Sequence, residues 1–156
     1  MLAHRHILFE KESLVFIDGP GNLMLRVDPM GHGIGHFSFS ERLQIKTTHK
    51  DAKIEIYYNP IVATLNIATG RIYFTKSNYS NPYNFSRHID MRNKNNLNAS
   101  MLVNNIDDLN NIRTNLARWY AQGCEIDATV TEKWTKDNKV SIKKKRKRNS
   151  RDLPLN

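Results

Sequence analysis

Between positions 28 and 36 the chain gathers side chains that elsewhere hold metals or cradle phosphates. Asp28, His32 and His36 alternate with Gly31, Gly33 and Gly35. A nucleotide-binding fingerprint needs its glycines to follow a strand and open a helix, so that the helix N-terminus faces the phosphates. Here the glycines run into Phe37-Ser38-Phe39-Ser40, whose alternation reads as a strand. Two histidines four apart share a metal when they lie on one helix face, and so glycine-rich a segment resists helix. The expectation is a mobile turn at a strand edge, with no metal and no cofactor. His4 and His6, and His88 beside Asp90, read as surface residues. The single cysteine, Cys124, follows an expected helix C-terminus, where the dipole disfavours a thiolate. No catalytic residue is assigned, and the chain is read as a non-enzyme.

The elements that would position these residues are mostly strands. Residues 13–18 and 22–28 are apolar-rich runs joined by Gly19-Pro20-Gly21, which reads as a hairpin. Residues 36–40 and 52–58 alternate; 61–68 and 71–76 flank Thr69-Gly70 as a second hairpin; 85–92 and 97–103 are weaker. Residues 77–100 read as a long polar loop. One amphipathic helix is expected over 105–122. It starts at an Asn105 cap, carries an apolar stripe of Leu109, Ile112, Leu116 and Trp119 or Tyr120, and stops at Gly123. A closing strand over 124–131 would follow. No repeat of fixed period is evident. The expected fold is therefore α+β and mainly β: an antiparallel sheet or sandwich with one amphipathic helix near its C-terminus, then a disordered basic tail. The expected domains are a globular 1–132 and a tail 133–156.

Charge is distributed very unevenly. The 156 residues carry a net +9. Residues 133–156 hold ten Lys or Arg and two Asp, so +8, which leaves +1 for residues 1–132. The tail cations include Lys139, Arg151 and the run Lys143, Lys144, Lys145, Arg146, Lys147 and Arg148. Nothing in the tail has an apolar period to set against its ordering entropy. Such a run binds phosphates by counterion release, lies against an acidic bilayer, or serves as a nuclear-import signal. These eight residues are the candidate nucleic-acid, membrane and import site. Tyr57, Tyr73, Tyr79, Tyr83 and Phe85, where exposed, could stack on bases, although alternating aromatics in a sheet more often serve packing. A lone cysteine and short apolar runs point to an intracellular chain with no membrane span and no cleavable signal. The triplets at Asn78, Asn84 and Asn98 are accordingly read as unused glycosylation sites.

The stretch from Leu14 to Asp28, followed by a glycine-rich segment, resembles the opening hairpin of the small single-domain matrix proteins of negative-strand RNA viruses, the bornavirus type especially. The segment from Ile106 to Gly123 with a strand after it resembles the late helix of the same family and of rhabdovirus matrix proteins. The run Lys143 to Arg148 departs from that pattern. The resemblance implies no enzyme activity, self-association through sheet edges, and basic residues contacting RNA and acidic lipid. The leading expectation is a non-enzymatic, self-associating structural or adaptor protein, of viral matrix type by that resemblance, found in the cytoplasm, the nucleus or a virion. Its partners would be nucleic acid (RNA ahead of DNA), an acidic membrane surface, a nuclear-import receptor and further copies of itself. The alternative is a monomeric nuclear nucleic-acid-binding or host-modulating protein.

Overall fold

The computed structural model describes residues 1–61, 63–66, 68–74 and 77–133. The chain divides into two compact units, Met1–Glu125 and Ile126–Asn156. Residues 134–156 of the expected disordered tail, and with them Lys139, the run 143–148 and Arg151, lie outside the described residues.

The first unit is built from short strands that visit three sheets in turn. The first coil contains β1 (Leu2–Ala3), β2 (Ile7–Phe9) and β3 (Val15–Ile17). The second contains β4 (Asn22–Val27), β5 (Phe37–Phe39) and β6 (Ile45–Thr47). The third begins with β7 (Lys53–Tyr58), makes an excursion through β8 (Ala63–Asn66) and β9 (Arg71–Phe74), and ends with β10 (Ile89–Met91). Then come β11 (Leu97–Val103), the helix α1 (Ile106–Asn111) and β12 (Tyr120–Gln122). The first sheet has the order β1-β4-β7-β11-β12, the second is β2-β5, and the third is β10-β6-β3. Every pairing in these three sheets is parallel. The unit is therefore a parallel β-solenoid.

This overturns the expected antiparallel sheet or sandwich. Among the described residues, antiparallel pairing is confined to β8 and β9, the hairpin around Thr69-Gly70. Gly19, at φ 123°, turns the chain. The turn leads from one sheet into another: β3 pairs with β6, and β4 pairs with β1 and β7. The hairpin expected over 13–28 is thus a corner. Alternating burial is common to both arrangements, because it records one buried face and not the direction of the neighbouring strand. Parallel neighbours need a long connection; here it runs through the other two sheets.

Alternation places Leu25, Val27, Ile54, Ile56, Tyr58 and Met101 inside, where stacked coils cover them. Val15, Ile45 and Ile89 form a second stack, and Ile7 sits in register with Phe37. The corner between the second and third sheets passes through left-handed Glu12 in the first coil and Leu43 in the second (φ 64° and 55°). Buried Gln44 stitches these two corners. Its amide donates to the Glu10 carbonyl and to Ser13 Oγ, while its Oε1 accepts the Glu41 N–H. Successive strands of the first sheet pair residues 24, 31, 43 and 19 apart (Leu2 with Arg26, Leu23 with Ile54, Ile54 with Leu97, Met101 with Tyr120). A repeat is thus present in the structure, but not at one period.

The expected long helix is also corrected. Asn105 does cap a helix, its side chain accepting the Asp108 N–H, but α1 ends at Asn111 and passes into a single 3₁₀ turn, Ile112–Thr114. Asn110, Asn111, Thr114 and Asn115 are weak helix formers. Asn115 leaves the helical region, donates its amide to the Tyr79 carbonyl, and lets Tyr120 enter β12. Leu109, Leu116 and Trp119 are exposed, and the buried residue of α1 is Asp108. Residues 124–131 form no strand; a helical turn occupies 131–133. The weaker runs at 85–92 and 97–103 carry strands, β10 and β11, and the polar segment 77–100 also holds 3₁₀ turns at Phe85–Arg87 and Lys94–Asn96.

The two leucines that follow from these assignments make opposite demands. Leu102 is fully buried, and Leu116 is 78% exposed. Leu102→Ala is expected to lower the unfolding free energy by about 2–5 kcal/mol. Leu116→Ala should cost under about 0.5 kcal/mol. Urea denaturation of both variants checks the pair, and equal losses would restore the longer helix.

Candidate functional site

Asp28 leaves β4 in the left-handed region, at φ 51°, and its side chain turns inward. Its Oδ1 accepts the His32 N–H at 2.8 Å; its Oδ2 accepts the Gly33 N–H at 2.6 Å and the Asn59 amide at 2.9 Å. Asn59 follows β7 as Asp28 follows β4. Its Nδ2 also reaches the Gly35 carbonyl at 3.2 Å, and its Oδ1 accepts the Asn104 amide at 2.8 Å. Asn104, just after β11, in turn donates its N–H to Asp108 Oδ2 at 3.2 Å. Three buried polar side chains thus run from coil to coil along one corner. Positive φ at Gly31 and Gly33 lets the turn bring its N–H groups onto the carboxylate (70° and 76°). At Gly35 any Cβ would meet the Arg5 carbonyl.

The Gly/His stretch is therefore a turn organised around the buried Asp28 carboxylate. His32 is exposed, whereas His36 packs its ring 4.1 Å from that of His6. His6 is thus half-buried, against the expectation of a surface residue; His4 is exposed. Among the described residues no group of three His, Cys, Asp or Glu is placed to hold a metal ion. The Cys124 thiol donates to the Asn104 carbonyl at 3.1 Å. Asp90 pairs with Lys46 at 3.8 Å, and His88 is engaged elsewhere.

That other place is a cleft of about 340 Å³ on the side of the second sheet. The described residues give this sheet two strands only, because the third coil departs through β8 and β9 and returns by residues 77–88. The return is tied down at several points. The Asn78 N–H donates to the Pro60 carbonyl at 2.8 Å, and buried Tyr79 donates its hydroxyl to the Leu102 carbonyl at 2.6 Å. The Tyr83 N–H meets Tyr58 Oη at 3.2 Å. Phe85 is buried against Phe37 and Tyr58, edge to face.

On this base stands a row of nearly parallel rings. Phe9 stacks on Phe39 at 4.6 Å, and Phe39 on His88 at 4.3 Å. His88 Nδ1 lies 2.8 Å from the Glu41 carbonyl, which only accepts, so Nδ1 carries the proton. In the tautomer with its hydrogen on Nδ1, Nε2 accepts from the Tyr83 hydroxyl at 3.0 Å. Burial raises the Tyr83 phenol above its ordinary value, with Arg87 opposing the shift. Burial also pushes Tyr58 up to about 12. Both hydroxyls are protonated at neutral pH, and the Tyr83 hydroxyl is available as the donor to His88.

No family model, no curated protein and no solved structure matches this chain. Of the segments that carried the family resemblance, 14–28 folds as a corner between sheets, and 106–123 as the short helix α1 followed by β12. Of the five aromatics weighed as stacking surfaces, Tyr79 and Phe85 are buried in packing roles, and Tyr57 is half-buried beneath the Arg26 guanidinium. Tyr83 is 42% exposed, while the side chain of Tyr73 lies outside the described residues. The sequence signal for the cleft was the aromatic cluster at 79–85. Its link to His88 and Phe39 had no local sign.

The histidine pair sets a pH dependence. Burial lowers the affinity of His6 for a proton, with Arg5 adding to the effect; burial, then His6, does the same for His36. Unfolded imidazoles protonate near 6.5, so below that pH the unfolded chain binds more protons than the folded one. Stability is expected to be fully present above pH 6.5 and to fall as the pH drops toward the lowered folded values. His36→Gln should flatten the decline in Tm between about pH 7.5 and 5.5, where imidazole is the side chain that titrates. An undiminished decline in the variant would contradict this assignment.

Proposed function

We propose that the protein is a non-enzymatic, self-associating adaptor that holds nucleic acid, RNA in first place, through Lys139, Lys143, Lys144, Lys145, Arg146, Lys147, Arg148 and Arg151. The observation that carries this reading is the segregation of charge: +8 lies in residues 133–156 and +1 in all the rest. A cationic run of this density gains affinity by displacing condensed counterions from a phosphate backbone. It reads charge and not base edges, so it binds sequences alike. The turn at 28–36 adds indirect support, since its carboxylate, Asp28, is committed to the His32 and Gly33 N–H groups and to the Asn59 amide. Self-association is supported by the first coil. Strands β1, β2 and β3 each lie at a sheet edge, and the outward Leu2, Leu8 and Phe16 are exposed. Open edges and exposed apolar side chains are surfaces that a second chain can cover.

The test is the salt dependence of binding. If Lys143 to Arg148 each neutralise one phosphate, the log–log slope on duplex DNA should be near −5, from about −0.9 per phosphate. Replacing the six with Gln should remove most of that slope and weaken RNA and DNA binding alike. Unchanged affinity and slope in the Gln variant would refute the reading. If the variant instead loses only its binding to vesicles of anionic lipid, the partner is a membrane.

A further inference from the structure

We propose that the cleft beside Tyr83 and His88 is a pocket for one unstacked nucleobase, an inference that rests on the nucleic-acid reading above. Tyr83 and His88 are joined edge to edge by their hydrogen bond, their planes 21° apart. Together they form one flat plate, wider than either ring. Phe39 covers one face of the His88 ring and is not among the walls of the cleft, so the cleft lies against the other face. The plate is thus packed by Phe39 at His88 and by Phe85 at Tyr83, 4.7 Å away, and its front is the side that lines the cleft, where Tyr83 stays 42% exposed. A planar base laid on that front meets π-surface across both of its dimensions, which favours stacking without regard to base identity.

The surroundings suit the rest of a nucleotide. Arg87 is exposed at the wall and close enough to Tyr83 to act on its phenol, which places a cation beside the plate for the phosphate that accompanies the base. Asn81, also exposed and lining the cleft, offers both a donor and an acceptor to a base edge. The volume of about 340 Å³ lies in the range of small-ligand sites and admits one nucleoside, not a stack of them. The loop that carries the plate is anchored before the cleft is filled, through Asn78, Tyr79 and the Tyr83 backbone. Little ordering is therefore left to binding.

The experiment compares a short oligouridylate with the same strand lacking its bases, using the full chain. Wild-type protein should bind the base-bearing strand on the order of tenfold more tightly. Tyr83→Ala should erase that preference, and Tyr83→Phe, which keeps the ring, should retain most of it. Arg87→Gln should weaken both strands modestly and keep the ratio. The six-residue Gln variant of the tail should weaken both strands strongly and also keep the ratio. Tyr83 is partly exposed, so its truncation leaves the buried Phe85 layer in place, and melting curves verify the fold. Equal wild-type binding of the two strands would overturn the pocket while leaving the tail reading intact. So would a preserved preference in Tyr83→Ala, or displacement of the strand by a neutral hexose oligomer but not by uridine. Full affinity in the tail variant, with the base preference preserved, would instead overturn the tail reading alone.

Discussion

The solenoid depends on one buried relay, Asp28 to Asn59 to Asn104. Each side chain stands at the corner where the first sheet gives way to the next segment of its coil. A buried amide or carboxylate without partners costs free energy comparable to a lost hydrogen bond or more, so each coil is held to the position where its neighbour can satisfy it. Asp28 and Asn59 are 31 residues apart, the same offset that pairs β4 with β7. Asn59 and Asn104 are 45 apart, whereas β7 and β11 pair at 43, Ile54 against Leu97. β11 therefore runs two residues further before the chain turns, and Tyr79 caps the Leu102 carbonyl. Beyond Asn104 the next position is Gly123, where any Cβ would collide with the Asn104 side chain.

This relay also links the fold to the cleft. Asn59 fixes the end of β7, and with it Tyr58, whose hydroxyl receives the Tyr83 N–H. Gly35, held by Asn59 through its carbonyl, sets the start of β5, which carries Phe39. The aromatic plate is thus mounted on strands whose registers are set at the same corner. On the proposed function the two parts would divide the work: the tail would supply long-range, salt-sensitive attraction, and the cleft short-range contact with one base.

Some of this was legible in the sequence. The alternation of Lys53 to Tyr58 appears as β7, the Thr69-Gly70 signal as a hairpin, and Asn105 as a cap. Strand direction was not legible, because Leu23 and Leu25 alternate with Met24 and Arg26 whichever way the neighbour runs. Asp28 stood out as an acid beside histidines, but its partner Asn59 is distant in the chain and carries no local mark. The apolar stripe Leu109, Ile112, Leu116 had a helical period. Parallel pairing of Tyr120 with Met101 and the asparagines at 110, 111 and 115 ended the helix early. Of the chemistry-bearing types at 28–36, Asp28 gathers backbone N–H groups, and a carboxylate so used draws on the same residue types as a ligand site.

The most direct measurement is a double-mutant cycle on the relay. Asp28→Ala, Asn59→Ala and the double variant are compared by urea denaturation. A buried, directly bonded pair should show a coupling of about 1–3 kcal/mol, each single variant having already orphaned the other partner. Additivity within about 0.5 kcal/mol, the behaviour of independent sites, would contradict the account by showing that these side chains do not depend on each other.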